Sequence, residues 1–453
     1  MYKKTLRELI DIAVPMVVSQ GAFALMIFTD RYFMAQISPT HMAASLGGGV
    51  ASYFCLSLFF GILSYANALV AQYYGADQWA KCSRVVTQGL ILCLLFIPVL
   101  VVISYFVSGI FAAMDHDPLQ AELERSYFVV LMWGAFFSLA KTCFASFFSG
   151  IGQTKQVMIA DSIGVALNIP LTYGLIFGAF GLPAMGIVGA GIATIIGTAL
   201  TLAIFVYFYT RKACWQQFEV ARSLLLDRGI IRRFVRLGFP SGMEMFLNVA
   251  AFNLFLLMFQ SYGVAQGASA AIVFNWDILS FVPLLGLNIA LISLIGRHVG
   301  AGNMDRANEV ISAGFVLGLS YSAVLAVVFV VYRENLVGLF IVGDSSHQDI
   351  RELSSFMMLG LASYVMADAV ILITGGVLRG AGDTRWLMIA SVALHWLMLL
   401  AQYVVIKVLN YGPKASWLIF VGMIISIAVV YVVRISGKQW RDPEVLKRVM
   451  AES

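Results

Sequence analysis

The sequence predicts an all-α membrane protein, with twelve transmembrane helices in two six-helix bundles related by a pseudo-twofold axis. Three observations predict it. Of the 453 residues, 60% are hydrophobic and only 12% are charged, where a soluble chain carries about 25% charged residues. Water cannot accommodate that much apolar surface around a single core. The apolar residues fall in runs long enough to cross a bilayer, which needs about 20 each. The second half of the chain repeats motifs of the first.

Twelve runs follow in order: 10–35, 43–70, 85–112, 126–149, 156–179, 185–209, 234–260, 268–295, 310–332, 353–378, 386–409 and 415–433. None shows the short alternating strands of a β-barrel. The many glycines inside them fit close approach of helices in lipid. The first run is too long for the apolar part of a cleavable signal and leads into further spans.

Lys and Arg set the orientation, because they collect on the cytoplasmic side. With the N-terminus inside, the outer segments hold six: Arg31, Arg125, Arg333, Arg351, Lys407 and Lys414. Lys141 lies within a run, and the remaining 22 of the 29 fall in inner segments. This predicts both termini in the cytoplasm. The basic residues thus belong to membrane loops, and no nucleic-acid contact is expected. The five cysteines include no CxxC, and three lie inside apolar runs. They read as packing residues, with no disulfide or metal site.

The longest strongly charged interruption, 210–233, divides the chain into a bundle at 1–209 and a bundle at 234–453 with a short cytoplasmic tail. SGIGQTKQVMIA (149–160) matches RGAGDTRWLMIA (379–390), and YYGADQWAKCSRVVTQG (73–89) matches HVGAGNMDRANEVISAG (298–314). Pro15 and Pro240 open the two halves at equivalent places. The spacing is 225 for the proline and the YYGA segment and 230 for the later pair. The five additional residues fit a longer outer loop around 333–352. Six helices per repeat is an even number, so the repeats are parallel, with a site expected near the midplane between them.

TDRYFMAQ (29–36), LNIPLTY (167–173), GFPSGMEMF (238–246), YVMAD (364–368) and LRGAGDT (378–384) resemble the multidrug and toxic compound extrusion (MATE) family across nearly the whole chain. The Tyr364–Asp368 pair resembles the NorM-like branch. The resemblance implies an exporter of organic, cationic and aromatic compounds in the bacterial inner membrane. It implies a monomer that exchanges substrate for Na⁺ or H⁺ by alternating access and needs no cofactor beyond that coupling ion.

An ionisable group in mid-membrane costs roughly 2.5 kcal/mol or more and marks function by default. Asp368 lies near the middle of the tenth run, with Tyr364 one turn away on the same face. Buried, its carboxylate can take and release a proton; ionised, it is an oxygen ligand for Na⁺. It matches the family's acid in that helix, and Asp30 matches the acid of the first. Asn168 and Thr172, one turn apart, can line the cavity of Asp30. Asn168 matches a family Asn, whereas Thr172 departs from the Asn of NorM-like members. Glu244 stands one turn before Asn248, the position that matches the family's acid in the seventh helix. Asp277, close to Asn275, is a further acid, and Glu244, Asp277 and Asp368 are expected to make the C-terminal half acidic. Lys141 and Asp161 read as a structural ion pair, and His395 as a packed polar residue.

Two other functions are weighed. A flippase of lipid-linked intermediates, from the same wider superfamily, calls for more helices and a cationic cavity. A membrane-embedded enzyme calls for a catalytic set such as HExxH, and none occurs. Gly150, Gly152, Gly380 and Gly382 are turn residues; no lysine follows in P-loop spacing, so nucleotide binding is not expected.

Overall fold

The computed structural model describes residues 2–111, 117–340 and 348–451. The spanning helices are α1 (Tyr2–Ile37), α2 (Pro39–Ser64 continued by Ala66–Gly75), α3 (Trp79–Ile110), α4 (Pro118–Trp133 continued by Ala135–Gly150), α5 (Thr154–Phe177) and α6 (Gly186–Thr210). They are followed by α7 (Arg228–Gln260), α8 (Val264–Gly300), α9 (Met304–Val331), α10 (Gln348–Ala381), α11 (Thr384–Tyr403 with a π turn at Val404–Val408) and α12 (Pro413–Ser436). All are long and apolar enough to span a membrane once the two parts of α4, bent by 48° at Gly134, count as one. The described residues contain no strand. Part of the outer loop invoked for the repeat offset, 341–347, lies outside the described residues.

Helix starts follow side-chain capping. Asp117 accepts from the N–H groups of Leu119 and Gln120, with Pro118 in the first turn. Asp227 does the same for Gly229 and Ile230, and Ser38 accepts from His41 N. Proline at the first helical position suits such starts, since its missing N–H would have no partner there.

One turn is used four times, joining α2 to α3, α4 to α5, α8 to α9 and α10 to α11. Each has a residue of positive φ: Asp77 (56°), Gly152 (70°), Gly302 (67°) and Gly382 (91°). The N–H of the next residue reaches back five positions: Gln78 to Tyr73 O, Gln153 to Phe148 O, Asn303 to His298 O and Asp383 to Leu378 O, at 2.8–2.9 Å. This is the Schellman stop, which satisfies carbonyls that the helix leaves free. Asp77 tolerates the left-handed conformation better than most side chains.

The two halves cross symmetrically, with α7 packing on α2 and α1 on α8. At the first crossing, a Cβ on Gly61 would stand 2.6 Å from Gly242 Cα, and one on Gly242 would stand 2.4 Å from Leu58 O. At the second, a Cβ on Gly286, 225 positions after Gly61, would meet Val17 N at 2.6 Å. The apolar clusters exchange members accordingly. Leu9, Ile12 and Ala13 of α1 pack into the cluster of α8, α10 and α12. Ile230, Phe234 and Leu237 of α7 pack into that of α2, α3 and α4.

At the end of the bundle that carries most of the basic residues, hereafter the basic end, the halves are tied by reciprocal bonds. Gln72 Nε2 donates to Gly380 O at 2.7 Å, and Arg297 Nε donates to Gly150 O at 3.1 Å. The donors are 225 apart and the acceptors 230 apart, so the two bonds are repeat-related. Ser293 Oγ adds a bond to Ser149 O at 2.7 Å. Arg233, buried at the start of α7, donates to Gln72 Oε1 and, through Nε, to Val449 O at 2.8 Å. Arg236 Nη2 donates to Ala451 O at 2.7 Å. These bonds dock a terminal helix, Pro443–Met450, against α7.

Candidate functional site

Five acids lie deep in the spans, and their partners divide them. Asp161 pairs with Lys141 at 2.8 Å between α5 and α4, and Ser19 Oγ of α1 donates to its other oxygen. Glu244, buried in α7, pairs with Arg379 Nη2 of α10 at 2.8 Å. Asp30, Asp277 and Asp368 have no ion-pair partner among the described residues.

Asp30 is buried in α1. The hydroxyls of Thr172 (α5) and Thr194 (α6) lie against its carboxylate. They nevertheless take other acceptors: Thr172 Oγ1 donates to Asn168 Oδ1 at 3.3 Å and Thr194 Oγ1 to Ala190 O at 3.0 Å. Asp30 Oδ1 and Asn168 Nδ2 are left without a hydrogen-bond partner. A buried acceptor and a buried donor, both unsatisfied, mark a polar pocket within the apolar bundle. The fold places Asp30, Asn168 and Thr172 around one pocket. The sequence did not single out Thr194, one of four threonines in α6, which nothing in the sequence marks over Thr198 or Thr201.

In the other half, Asp277 of α8 and Asp368 of α10 lie within each other's electrostatic reach, with the Tyr364 hydroxyl beside Asp277. Asp277 Oδ1 and Tyr364 Oη have no hydrogen-bond partner. The phenol is wholly buried, its ring 5.8 Å from Phe420 and 6.1 Å from Trp417 of α12. Those rings belong to an aromatic cluster that includes Phe255 and Phe274; Phe255 stacks on Phe420 at 4.6 Å. No cationic side chain among the described residues pairs with either carboxylate.

The expected cluster of three acids is revised at Glu244. Arg379 follows Asp368 by 11 residues on the continuous helix α10, a rise of about 16 Å. The Arg379 guanidinium reaches back along α10 to Gly375, whose Cβ would stand 3.2 Å from Nη1, so Glu244, held by it, lies about two turns nearer the basic end than Asp368. The sequence placed Arg379 in a loop; its side chain instead reaches back to α7. Around this pair, Tyr431 lies against Glu244, and Asn248 Nδ2 donates to Ser391 Oγ at 2.7 Å. His395 Nδ1 is 2.8 Å from Ser391 O, so it is satisfied by its own helix. Asn275 is exposed and bonds to Ala271 O one turn back; it does not join Asp277. Among the described residues no group of three or more His, Cys, Asp and Glu side chains is arranged to hold a metal ion.

The profile of the MatE family matches residues 15–174 and again 240–404. The two matches begin 225 residues apart, the spacing of Pro15 and Pro240. A multidrug resistance protein MdtK of Yersinia pseudotuberculosis is 28% identical over 446 residues, covering 96% of this chain and 95% of the relative. MdtK of Yersinia enterocolitica is 29% identical over 448 residues, with the same coverage. Among solved structures, a MOP superfamily transporter from Pyrococcus furiosus superposes with a TM-score of 0.87 at 18% identity, covering 98% of this chain and 97% of that one. The eukaryotic MATE transporter AtDTX14 does so with a TM-score of 0.85 at 19% identity, covering 99% of each chain. With the family profile covering both halves, the twelve spans repeating about one crossing, and the fold superposing on solved MATE transporters, this chain belongs to the MATE family of membrane transporters.

Proposed function

We propose that the protein is a secondary multidrug exporter that exchanges organic, cationic and aromatic compounds for Na⁺ or H⁺ by alternating access. It sits as a monomer in the bacterial inner membrane, with its basic end and both termini in the cytoplasm. The observation that carries the reading is the division of the deep acids. Asp161 and Glu244 have fixed cationic partners, whereas Asp30 in one half, and Asp277 with Asp368 in the other, do not. Carboxylates kept in lipid without a protein counter-charge need a mobile cation. The names of the MdtK relatives support a drug substrate. The reciprocal bonds at the basic end support alternation, since they hold one end closed and must break for the other state to form. Glu244 is assigned here to the Arg379 tie, which must reorganise if α7 and α10 move apart.

The test is dye efflux from proteoliposomes under a Na⁺ gradient alone and then under a pH gradient alone. One gradient should drive accumulation against the dye gradient, and dissipating it should stop transport. Equal dye movement with neither gradient present would rule out exchange.

A further inference from the structure

A groove of about 330 Å³ lies at the basic end between α7 and α11, lined by Val235, Arg236, Phe239, Pro240, Arg385, Met388 and Ile389. None of these residues belongs to the acid clusters. The arrangement has a direction. Both helices enter the membrane from the basic end. On α7, Val235 and Arg236 precede Phe239 and Pro240 by one turn, and on α11 Arg385 precedes Met388 and Ile389 by one turn. Charge therefore comes first and apolar surface follows on both walls. Phe239 and Ile389 are 48% and 63% exposed, the degree expected of side chains that meet lipid.

Arg385 is exposed and makes no ion pair or hydrogen bond among the described residues. The nearest acids along the chain are committed elsewhere: Asp383 to Arg434 at 2.8 Å, and Glu244 to Arg379. Arg236 Nη2 donates to the carbonyls of Ala451 and Arg448, so the terminal helix holds this charge beside the groove. A further basic residue, the exposed Arg232, stands one turn before Arg236. Guanidinium groups match phosphate oxygens in geometry and charge, and basic pockets at this depth suit lipid head groups.

The geometry points to a binding site for one anionic phospholipid, its phosphodiester held by Arg385 in the positive field of Arg236 and Arg232, and an acyl chain laid over Phe239 and Ile389. A zwitterionic lipid offers the same chain without the net charge, and a free phosphate offers the charge without the chain. The groove provides for both together. Such a lipid would brace α7 against α11 one turn beyond Arg233, which ties the terminal helix to Gln72. The site rests on the chain being a membrane protein and is independent of which ion or drug it carries.

The experiment uses the full chain purified in detergent, titrated with dihexanoyl phosphatidylglycerol, dihexanoyl phosphatidylcholine or glycerol 1-phosphate. Bound molecules are counted by native mass spectrometry. Phosphatidylglycerol should be retained more tightly than either of the other two. Arg385→Gln should weaken its binding about five-fold, the weight of one basic residue at a lipid surface, and leave phosphatidylcholine unchanged. Lys438→Gln, which removes an exposed charge from the same end outside the groove, should change nothing. Equal binding of the two lipids would show that only apolar surface is recognised. Binding of glycerol phosphate as tight as that of the lipid would show a soluble anion site. Either result overturns the proposal, as would an unchanged affinity in Arg385→Gln. The comparison of the three probes on the unaltered protein stands even if a variant fails to fold.

Discussion

Asp368 and Glu244 are both carboxylates in apolar helices, but their neighbours give them different chemistry. Asp368 lies within the electrostatic reach of a second acid and has no cationic partner among the described residues, which makes it the group whose charge changes in the proposed exchange. Asp368→Asn should reduce export to background while detergent extraction and thermal stability stay near those of the parent. An Asn variant that still pumps dye against a gradient would remove Asp368 from the mechanism. Glu244 is held by Arg379, and breaking one side of a buried pair costs about 3–5 kcal/mol because the other charge is left bare. Glu244→Gln should lower the melting temperature, and adding Arg379→Gln should recover part of the loss. A single variant as stable as the parent, with an altered Na⁺ or pH dependence of transport, would instead return Glu244 to the coupling site. The sequence could show that each acid is deep. It could not show which one a distant arginine would reach, because that depends on how α7 and α10 pack.

At the scale of helices, the apolar runs located every span, and the error lies at the ends. The run at 268–295 belongs to a helix that continues over Val264–Gly300, because its polar last turn leaves the lipid while its backbone stays helical. The bend of α4 at Gly134 left no mark in the hydropathy. The terminal helix is marked by capping chemistry instead, Asp442 followed by proline at the first position. The crossing of α2 and α7 was equally hidden, since glycines occur throughout the runs and only packing shows which are in contact. Gly242→Ala places a methyl 2.4 Å from the carbonyl of Leu58, which only a backbone shift can relieve. It should destabilise the protein by about 1–3 kcal/mol, as overpacking does, read as a lower melting temperature. Gly21→Ala, where a Cβ would meet nothing within 4 Å, is the matched control. Equal stability of the two variants would mean that the crossing is looser than described.

For the whole molecule, the repeat legible in the sequence becomes a set of reciprocal contacts: Gln72 to Gly380 and Arg297 to Gly150, α1 on α8 and α7 on α2. The terminal helix departs from that symmetry: the first half follows its sixth span with a six-residue helix, Lys212–Gln217, where the second half has the eight-residue Pro443–Met450. It supplies backbone acceptors to Arg233 and Arg236, and Arg233 is the residue that also bonds Gln72 in the closure. Truncation after Asp442 removes those acceptors and leaves a buried guanidinium short of partners. A hydrogen bond to a charged group contributes about 1.5–3 kcal/mol. Losing even one at the lower figure should raise the fraction of molecules open at the basic end roughly tenfold. Ser293→Cys in a cysteine-free background reports that opening, since Ser293 is fully buried and bonds Ser149 O within the closure. In inside-out vesicles, which expose the basic end under the proposed orientation, an impermeant thiol reagent should modify this cysteine faster in the truncated chain. Right-side-out vesicles should give slow modification in both, and fast modification there would reverse the assigned orientation. Should truncation leave both the modification rate in inside-out vesicles and the melting temperature unchanged, the terminal helix is a passenger, and the closure is held by the two halves alone.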